Sequence, residues 1–146
     1  MSVVKQSVFR NPAAKANGWI KEISKRMKWN DEEVALKALR VVLHALRDRL
    51  TVEEAAQLSA QLPLVIRGLF FEGWRPRGTP KRDGGLNAFF AEMDAQLPNL
   101  TPRDRKRAVQ VVFDVLAHQI SDGEVGDIAA VLPAEMREFW TATGSD

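Results

Sequence analysis

Two histidines are the side chains best suited to proton transfer or metal ligation, and each has an aspartate four places away: His44 with Asp48, and His118 with Asp114. Two imidazoles and two carboxylates projecting from facing helices would make a metal centre. The helical wheel argues otherwise. Positions 44 and 48 fall opposite the apolar stripe that carries Leu39 and Leu46, so both pairs read as surface i,i+4 contacts. Asp122-Gly123-Glu124 lacks the alternating oxygen ligands of a calcium loop and reads as a helix start. Glu32/Glu33 and Glu53/Glu54 sit in first helical turns, where the helix dipole favours a carboxylate without any catalytic role. Ser2, Ser7, Ser24, Ser59, Ser121 and Ser145 have no base nearby in sequence, and there is no cysteine to act as nucleophile or thiolate ligand. The expectation is a non-enzymatic chain with no catalytic residue, no metal site and no cofactor.

Binding is the remaining class. A recognition helix for DNA needs Arg, Lys, Asn or Gln aimed at base edges. The helix expected over Val52–Gln61 contains no Lys or Arg, and the corresponding stretch around Asp127 is acidic. Arg75, Arg77, Lys81 and Arg82, and the cluster Arg103, Arg105, Lys106 and Arg107, read as solvated charge, so nucleic acid is not expected as a partner. Phe71 and Trp74 differ from these. Phe71 falls off the Leu62–Ile66–Phe70 stripe of its own helix, and both aromatics stand beside Arg67, Arg75 and Pro76. That is the composition of a protein-contact patch. Its competitor is a satellite of the core, made by the following loop folding back over Phe71 and Trp74.

The elements that position these residues are helical, because period-2 alternation is nearly absent. Asn11-Pro12 opens a helix to about Arg26. Asn30-Asp31-Glu32-Glu33 opens a long one to about Leu50, Thr51-Val52-Glu53-Glu54 a short one to about Gln61, and Pro63 a fourth to about Gly73. Shifted by 70 places, residues 18–70 match residues 88–140 without a gap. Ten of the 53 pairs are identical, against roughly 3 or 4 expected from average usage. Conserved character extends to Trp19/Phe89, Leu50/Ile120, Thr51/Ser121 and Phe70/Trp140. Thr101, Ser121 and Pro133 open the corresponding later helices, and Thr51/Glu54 and Ser121/Glu124 have the spacing of reciprocal capping boxes. The expected fold is all-α: one domain over residues 1–146 with two similar four-helix units related by a pseudo-two-fold, and a loop over 71–87 between them. Leu36, Leu39, Val42, Leu43, Leu46 and Leu50 form a stripe that Val34, Ala38, Val41 and Ala45 widen, and Ala108, Val111 and Val115 keep that width. The two long helices therefore belong at the centre. The tail after Trp140 is expected to fray.

The string Leu39-Arg-Val-Val-Leu-His-Ala-Leu-Arg-Asp-Arg-Leu-Thr-Val-Glu-Glu-Ala-Ala-Gln-Leu-Ser-Ala-Gln-Leu-Pro63, followed by Ile66-Arg-Gly-Leu-Phe-Phe-Glu-Gly-Trp-Arg-Pro76, resembles the bacterial family called domain of unknown function 2267. Val125–Trp140, with Leu132-Pro133 and Met136-Arg137-Glu138-Phe139-Trp140, is similar to it too. The resemblance covers nearly the whole chain and implies a small bacterial helical protein with no agreed activity, so it supplies no catalytic residues. Phe70-Phe71-Glu72-Gly73-Trp74 stands where that family usually has Tyr-Tyr-Glu-Gly-Trp. The loss of both phenols argues against obligatory chemistry at those hydroxyls.

Charge is uneven along the chain. Residues 1–87 hold 16 Lys+Arg against 9 Asp+Glu, and residues 88–146 hold 5 against 10. A basic half and an acidic half could steer self-association. No stretch is long and apolar enough for a membrane span, and the N-terminus has no signal-peptide pattern. The compartment expected is the cytoplasm. The functional expectation is a protein-interaction or self-associating domain using Arg67, Phe71, Trp74, Arg75 and Pro76. The alternative is a small-ligand binder with a pocket between the units lined by Trp19, Phe89 and Trp140.

Overall fold

Side-chain caps set the starts of four helices in the computed structural model, which describes residues 11–82 and 85–142. Asp31 accepts from the backbone N–H groups of Glu33 and Val34, Thr51 from Glu54, Thr101 from Asp104 and Ser121 from Glu124. Each such bond satisfies a donor with no partner inside its helix, worth about 1 kcal/mol. The resulting helices are α1 (Pro12–Met27), α2 (Glu32–Arg47), α3 (Val52–Ser59), α4 (Leu64–Phe71), α5 (Leu86–Gln96), α6 (Pro102–Gln119), α7 (Asp122–Val131) and α8 (Ala134–Thr141). A 3-10 turn lies at Pro76–Gly78. There is no strand among the described residues.

The starts depart from expectation at two places. Asn11 makes no side-chain cap bond and holds a left-handed backbone at φ 52°. Asp31, not Asn30, caps α2, and α2 ends at Arg47, short of Leu50. Leu50 is nevertheless fully buried, in the turn that leads to α3. The capping boxes are half made. The hydroxyls of Thr51 and Ser121 accept as expected, yet the Ser121 N–H goes to Gln61 Oε1 at 2.7 Å, and neither Glu54 nor Glu124 reaches back to its cap.

α2 and α6 are central. α2 buries Ala35, Ala38, Leu39, Val42, Leu43, Ala45 and Leu46, and α6 buries Ala108, Val111, Val112, Phe113, Val115 and Leu116. α2 packs on α1, α4, α5 and α6, while α6 packs on α1, α2 and α8. The first helix of the chain thus lies on the later long helix, and α5 lies on the earlier one. α3 and α7 meet directly. Phe89, Phe113 and Trp140 contact edge to face, with centroids 6.2 and 5.2 Å apart, and the Trp140 indole donates to the Val125 carbonyl at 2.8 Å. No helix among the described residues is long and apolar enough to cross a membrane. The expected fraying after Trp140 falls mainly on residues 143–146, and the N-terminal reading on residues 1–10; both lie outside the described residues.

Candidate functional site

α4 buries Ile66 and Phe70, half-buries Arg67, Leu69 and Phe71, and turns Leu64, Val65 and Gly68 to solvent. Leu64 is 52% exposed and Val65 38%, and Gly68 is exposed as well. Spacings of four and three residues put Leu64, Gly68 and Phe71 in one row along the helix. The row continues past the helix end, because Phe71 and Trp74 lie with ring centroids 5.0 Å apart. Gly73 sits between them at φ +67°, a backbone that glycine adopts without strain. Both aromatics are half-buried against the core, and the Trp74 Nε1 is buried without a hydrogen-bond partner. Arg75 and Pro76 are exposed.

Arg67 stands beside this row but spends its guanidinium on structure. It donates to the carbonyls of Ser59, Ala60 and Leu62 at 2.8, 3.4 and 3.1 Å, which ties α4 to the end of α3. The residues 70 places later form a useful contrast. Met136 and Trp140 of α8 are buried as Ile66 and Phe70 are, but the outward row there is Ala134, Glu135, Glu138 and Thr141. The two helices bury alike and face solvent differently.

The end of α4 is held by α2. The neutral His44 ring donates from Nε2 to the Leu69 carbonyl at 2.7 Å, and Arg47 donates to the carbonyls of Phe70 and Glu72 at 2.8 and 2.6 Å. These carbonyls lie at a helix C-terminus, where cations are favoured; that of Leu69 also accepts from the Glu72 N–H at 3.2 Å. Arg40 adds an ion pair to Glu72 at 2.9 Å. Burial holds the His44 pKa below its usual value, against the raising effect of the Leu69 bond. Arg49, only 1% exposed, donates to the Ala45 carbonyl and to Glu92 and lies 5.5 Å from the Phe89 ring centre. Neither Arg47 nor Arg49 stands out in the sequence, because a charged residue on an amphipathic helix reads as solvated.

The two His/Asp pairs are not equivalent surface contacts. His118 Nδ1 lies 3.5 Å from Asp114, an i,i+4 pair, but Asp114 itself is buried and ion-paired with Arg26 of α1 at 2.5 Å. Asp48 pairs instead with Arg47 and, at 3.8 Å, with Lys81 of the loop, whose backbone N–H also donates to the Asp48 carbonyl at 2.7 Å. The surface reading of both pairs fails at Asp114 because α1 covers that side of α6.

A groove of about 740 Å³ between α1 and α6 is lined by Trp19, Glu22, Arg26, Asp114 and His118, among others. A second, of about 650 Å³, lies between α2 and α5 beside Arg40, His44, Glu72 and Glu92. Of the aromatics expected to line a pocket, Trp19 borders the first groove. Phe89 and Trp140 are fully buried in the core and border neither.

Where α3 meets α7, Glu54 and Glu124 turn inward and carboxylate oxygens of Glu54, Glu124 and Asp127 lie within 4.8 Å of one another. Desolvation and the neighbouring Glu54, with a smaller contribution from Asp127, push the Glu124 carboxyl up to about 8. The dipole argument for such first-turn carboxylates omits burial, and burial dominates here.

No curated protein matches the chain. The model of the DUF2267 family, an uncharacterized conserved protein, matches residues 16–139, and the chain belongs to that family.

Proposed function

We propose that the chain is a non-enzymatic protein-interaction domain of the bacterial cytoplasm, and that its contact surface is the outward row of α4 together with Phe71, Trp74, Arg75 and Pro76, bordered by Arg67. The carrying observation is the contrast between α4 and α8: equal burial of the inner positions, with an exposed apolar row on α4 and a polar one on α8. Exposed Leu64 and Val65 leading to a half-buried aromatic pair, with Arg75 at the rim, have the composition of an interface core. The fixed end of α4 presents that surface already ordered, which lowers the entropic cost of docking. A cysteine-free chain fits a reducing compartment.

The architecture we infer is a duplicated single domain, with repeats at 18–70 and 88–140 related by a pseudo-two-fold. Arg67 and Arg137 bond carbonyls 70 positions apart, and α1 on α6 is matched by α5 on α2. Acidic residues on a partner would complement the basic first half, and the acidic second half of another copy supplies them. Self-association is therefore the form to test first. The groove walls pair Arg26 with Asp114 and Arg40 with Glu72, which favours a protein contact over a small charged ligand in the grooves.

The test replaces the α4 row with the residues of α8, as Leu64→Ala/Val65→Glu/Gly68→Glu. Sedimentation velocity of the parent chain should show association that weakens with salt, and the triple variant should stay monomeric with unchanged helicity. A monomeric parent chain whose cross-linked partners in host lysate equal those of the triple variant would overturn the reading.

A further inference from the structure

We propose that Glu54, Glu124 and Asp127 form a binding site for a hard divalent cation of calcium's size at the junction of α3 and α7. Three observations carry it. The first is geometry: one carboxylate oxygen from each residue lies within 4.8 Å of the other two. Oxygens this close can share one cation at ligand distances of ~2.0–2.6 Å, and an irregular protein-built set suits Ca²⁺, whose coordination is flexible, better than Mg²⁺, which demands a near-ideal octahedron.

The second is unsatisfied valence. Glu54 is 8% exposed and Glu124 4%; the two carboxyl groups hydrogen-bond each other when Glu124 holds a proton, and no N–H or hydroxyl donor reaches the buried Oε2 of either. Both residues occupy the position from which a capping-box glutamate would bond its own cap, and both leave that bond unmade. Gln61 has taken the Ser121 N–H instead. Buried carboxylate oxygens need a proton, a donor or a metal.

The third is charge. No Lys, Arg or His among the described residues forms an ion pair with Glu54, Glu124 or Asp127. The other acids in the first turns of these two helices, Glu53 and Asp122, add to the negative field. Asp127 is exposed, so an ion has a route in and water can complete its coordination. An all-oxygen set selects hard cations over Zn²⁺ or Cu²⁺.

In the absence of metal the competitor is a proton, shared between Glu124 and Glu54. Glu54 comes from the first half of the chain, while Glu124 and Asp127 come from the second. An ion here would join the two. This site is independent of the α4 surface and stands or falls separately.

The test is calorimetric titration of the full chain with CaCl₂, MnCl₂ and MgCl₂ at a pH above the Glu124 value of about 8, with the thermal midpoint followed in parallel. The expected result is saturable one-to-one Ca²⁺ binding, stronger than that of Mg²⁺, with a midpoint that rises with Ca²⁺. Glu54→Gln and Glu124→Gln should each weaken binding at least about tenfold. Asp127→Asn, on an exposed residue, keeps the test open if a buried variant does not fold, and should also weaken it. Glu32→Gln, an exposed first-turn acid of α2, should bind as the parent does. Absence of saturable binding by any of the three ions, or unchanged affinity in Asp127→Asn together with any folded variant at Glu54 or Glu124, overturns the site and leaves a proton-sharing pair.

Discussion

Arg67 Nε lies 2.8 Å from the carbonyl oxygen of Ser59, at the last turn of α3. Arg137 Nε lies at the same distance from Ala129, and the terminal nitrogens of the two arginines reach Leu62 and Leu132 at 3.1 and 2.9 Å. A planar guanidinium holds its divergent donors in a fixed fork that fits two carbonyls of one helix end, a geometry that the single nitrogen of an ammonium does not reproduce. Arg67→Ala should therefore cost about 1.5–3 kcal/mol, the range for hydrogen bonds to a charged group, and Arg67→Lys should recover little of it. Urea unfolding measures both. A stability unchanged in Arg67→Ala would return that side chain to the contact surface as a free cation.

The Arg26–Asp114 pair joins α1 to α6, and its burial sets its worth. An exposed pair contributes about 0–1 kcal/mol, and breaking a buried one costs about 3–5. With a buried aspartate and a quarter-exposed arginine, this pair lies between those limits. Asp114→Ala should destabilise by about 1–3 kcal/mol, and a double-mutant cycle with Arg26→Met should recover a coupling energy of about 1 kcal/mol. Coupling near zero would mean that this pair adds nothing to the hold on α1, leaving apolar packing through Trp19 and Ile23 as the main tie.

Stability should depend on pH in two opposite ways. Glu124 has a folded pKa of about 8, above the usual carboxylate value, so the folded state holds its proton more tightly than the unfolded chain does. Its contribution is complete below the unfolded value of 4.5 and is lost as pH rises through about 8. His44 is shifted down by burial, so its contribution is present above 6.5 and is lost as pH falls. In a chelator, denaturant midpoints should decline from mildly acidic to alkaline pH, and Glu124→Gln should flatten that decline. Persistence of the slope in Glu124→Gln would assign it to other groups.

Helix order and the central place of α2 and α6 were legible because apolar spacing on a long helix reports directly which side is covered. The capping residues Thr51, Thr101 and Ser121 were legible for a similar reason, since a cap is a local event within four residues. Features set by a second helix were hidden. Arg47 looks like a surface charge until the carbonyls of Phe70 and Glu72 are brought to it, and Asp114 looks solvated until α1 supplies Arg26. Glu54 and Glu124 read as dipole-stabilised caps because their mutual burial depends on α3 meeting α7 across 70 residues of chain. Phe71 was found because it falls off the Leu62–Ile66–Phe70 stripe, and Trp74 through its neighbours Arg75 and Pro76. Comparing positions 70 places apart, Val65 with Glu135 and Gly68 with Glu138, would have outlined the whole row.

Gly68 offers the most economical test of whether that row is a contact surface. It lies inside α4, where glycine costs about 1 kcal/mol relative to alanine through backbone entropy. Nothing lies within 4 Å of where its Cβ would stand, and its backbone has no positive φ, so the fold itself does not require glycine there. Gly68→Ala should raise the stability of the free chain by about 0.5–1 kcal/mol, read as an increase in urea midpoint with unchanged slope. On the proposed α4 contact surface, however, Gly68 would leave a notch between Leu64 and Phe71 through which a partner could approach the helix backbone. The same substitution should weaken association, and Gly68→Leu should weaken it further while still folding. A variant that gains stability and loses binding would separate the two roles. Gly68→Leu that associates as strongly as the parent chain would remove the notch, and with it Gly68, from the interface.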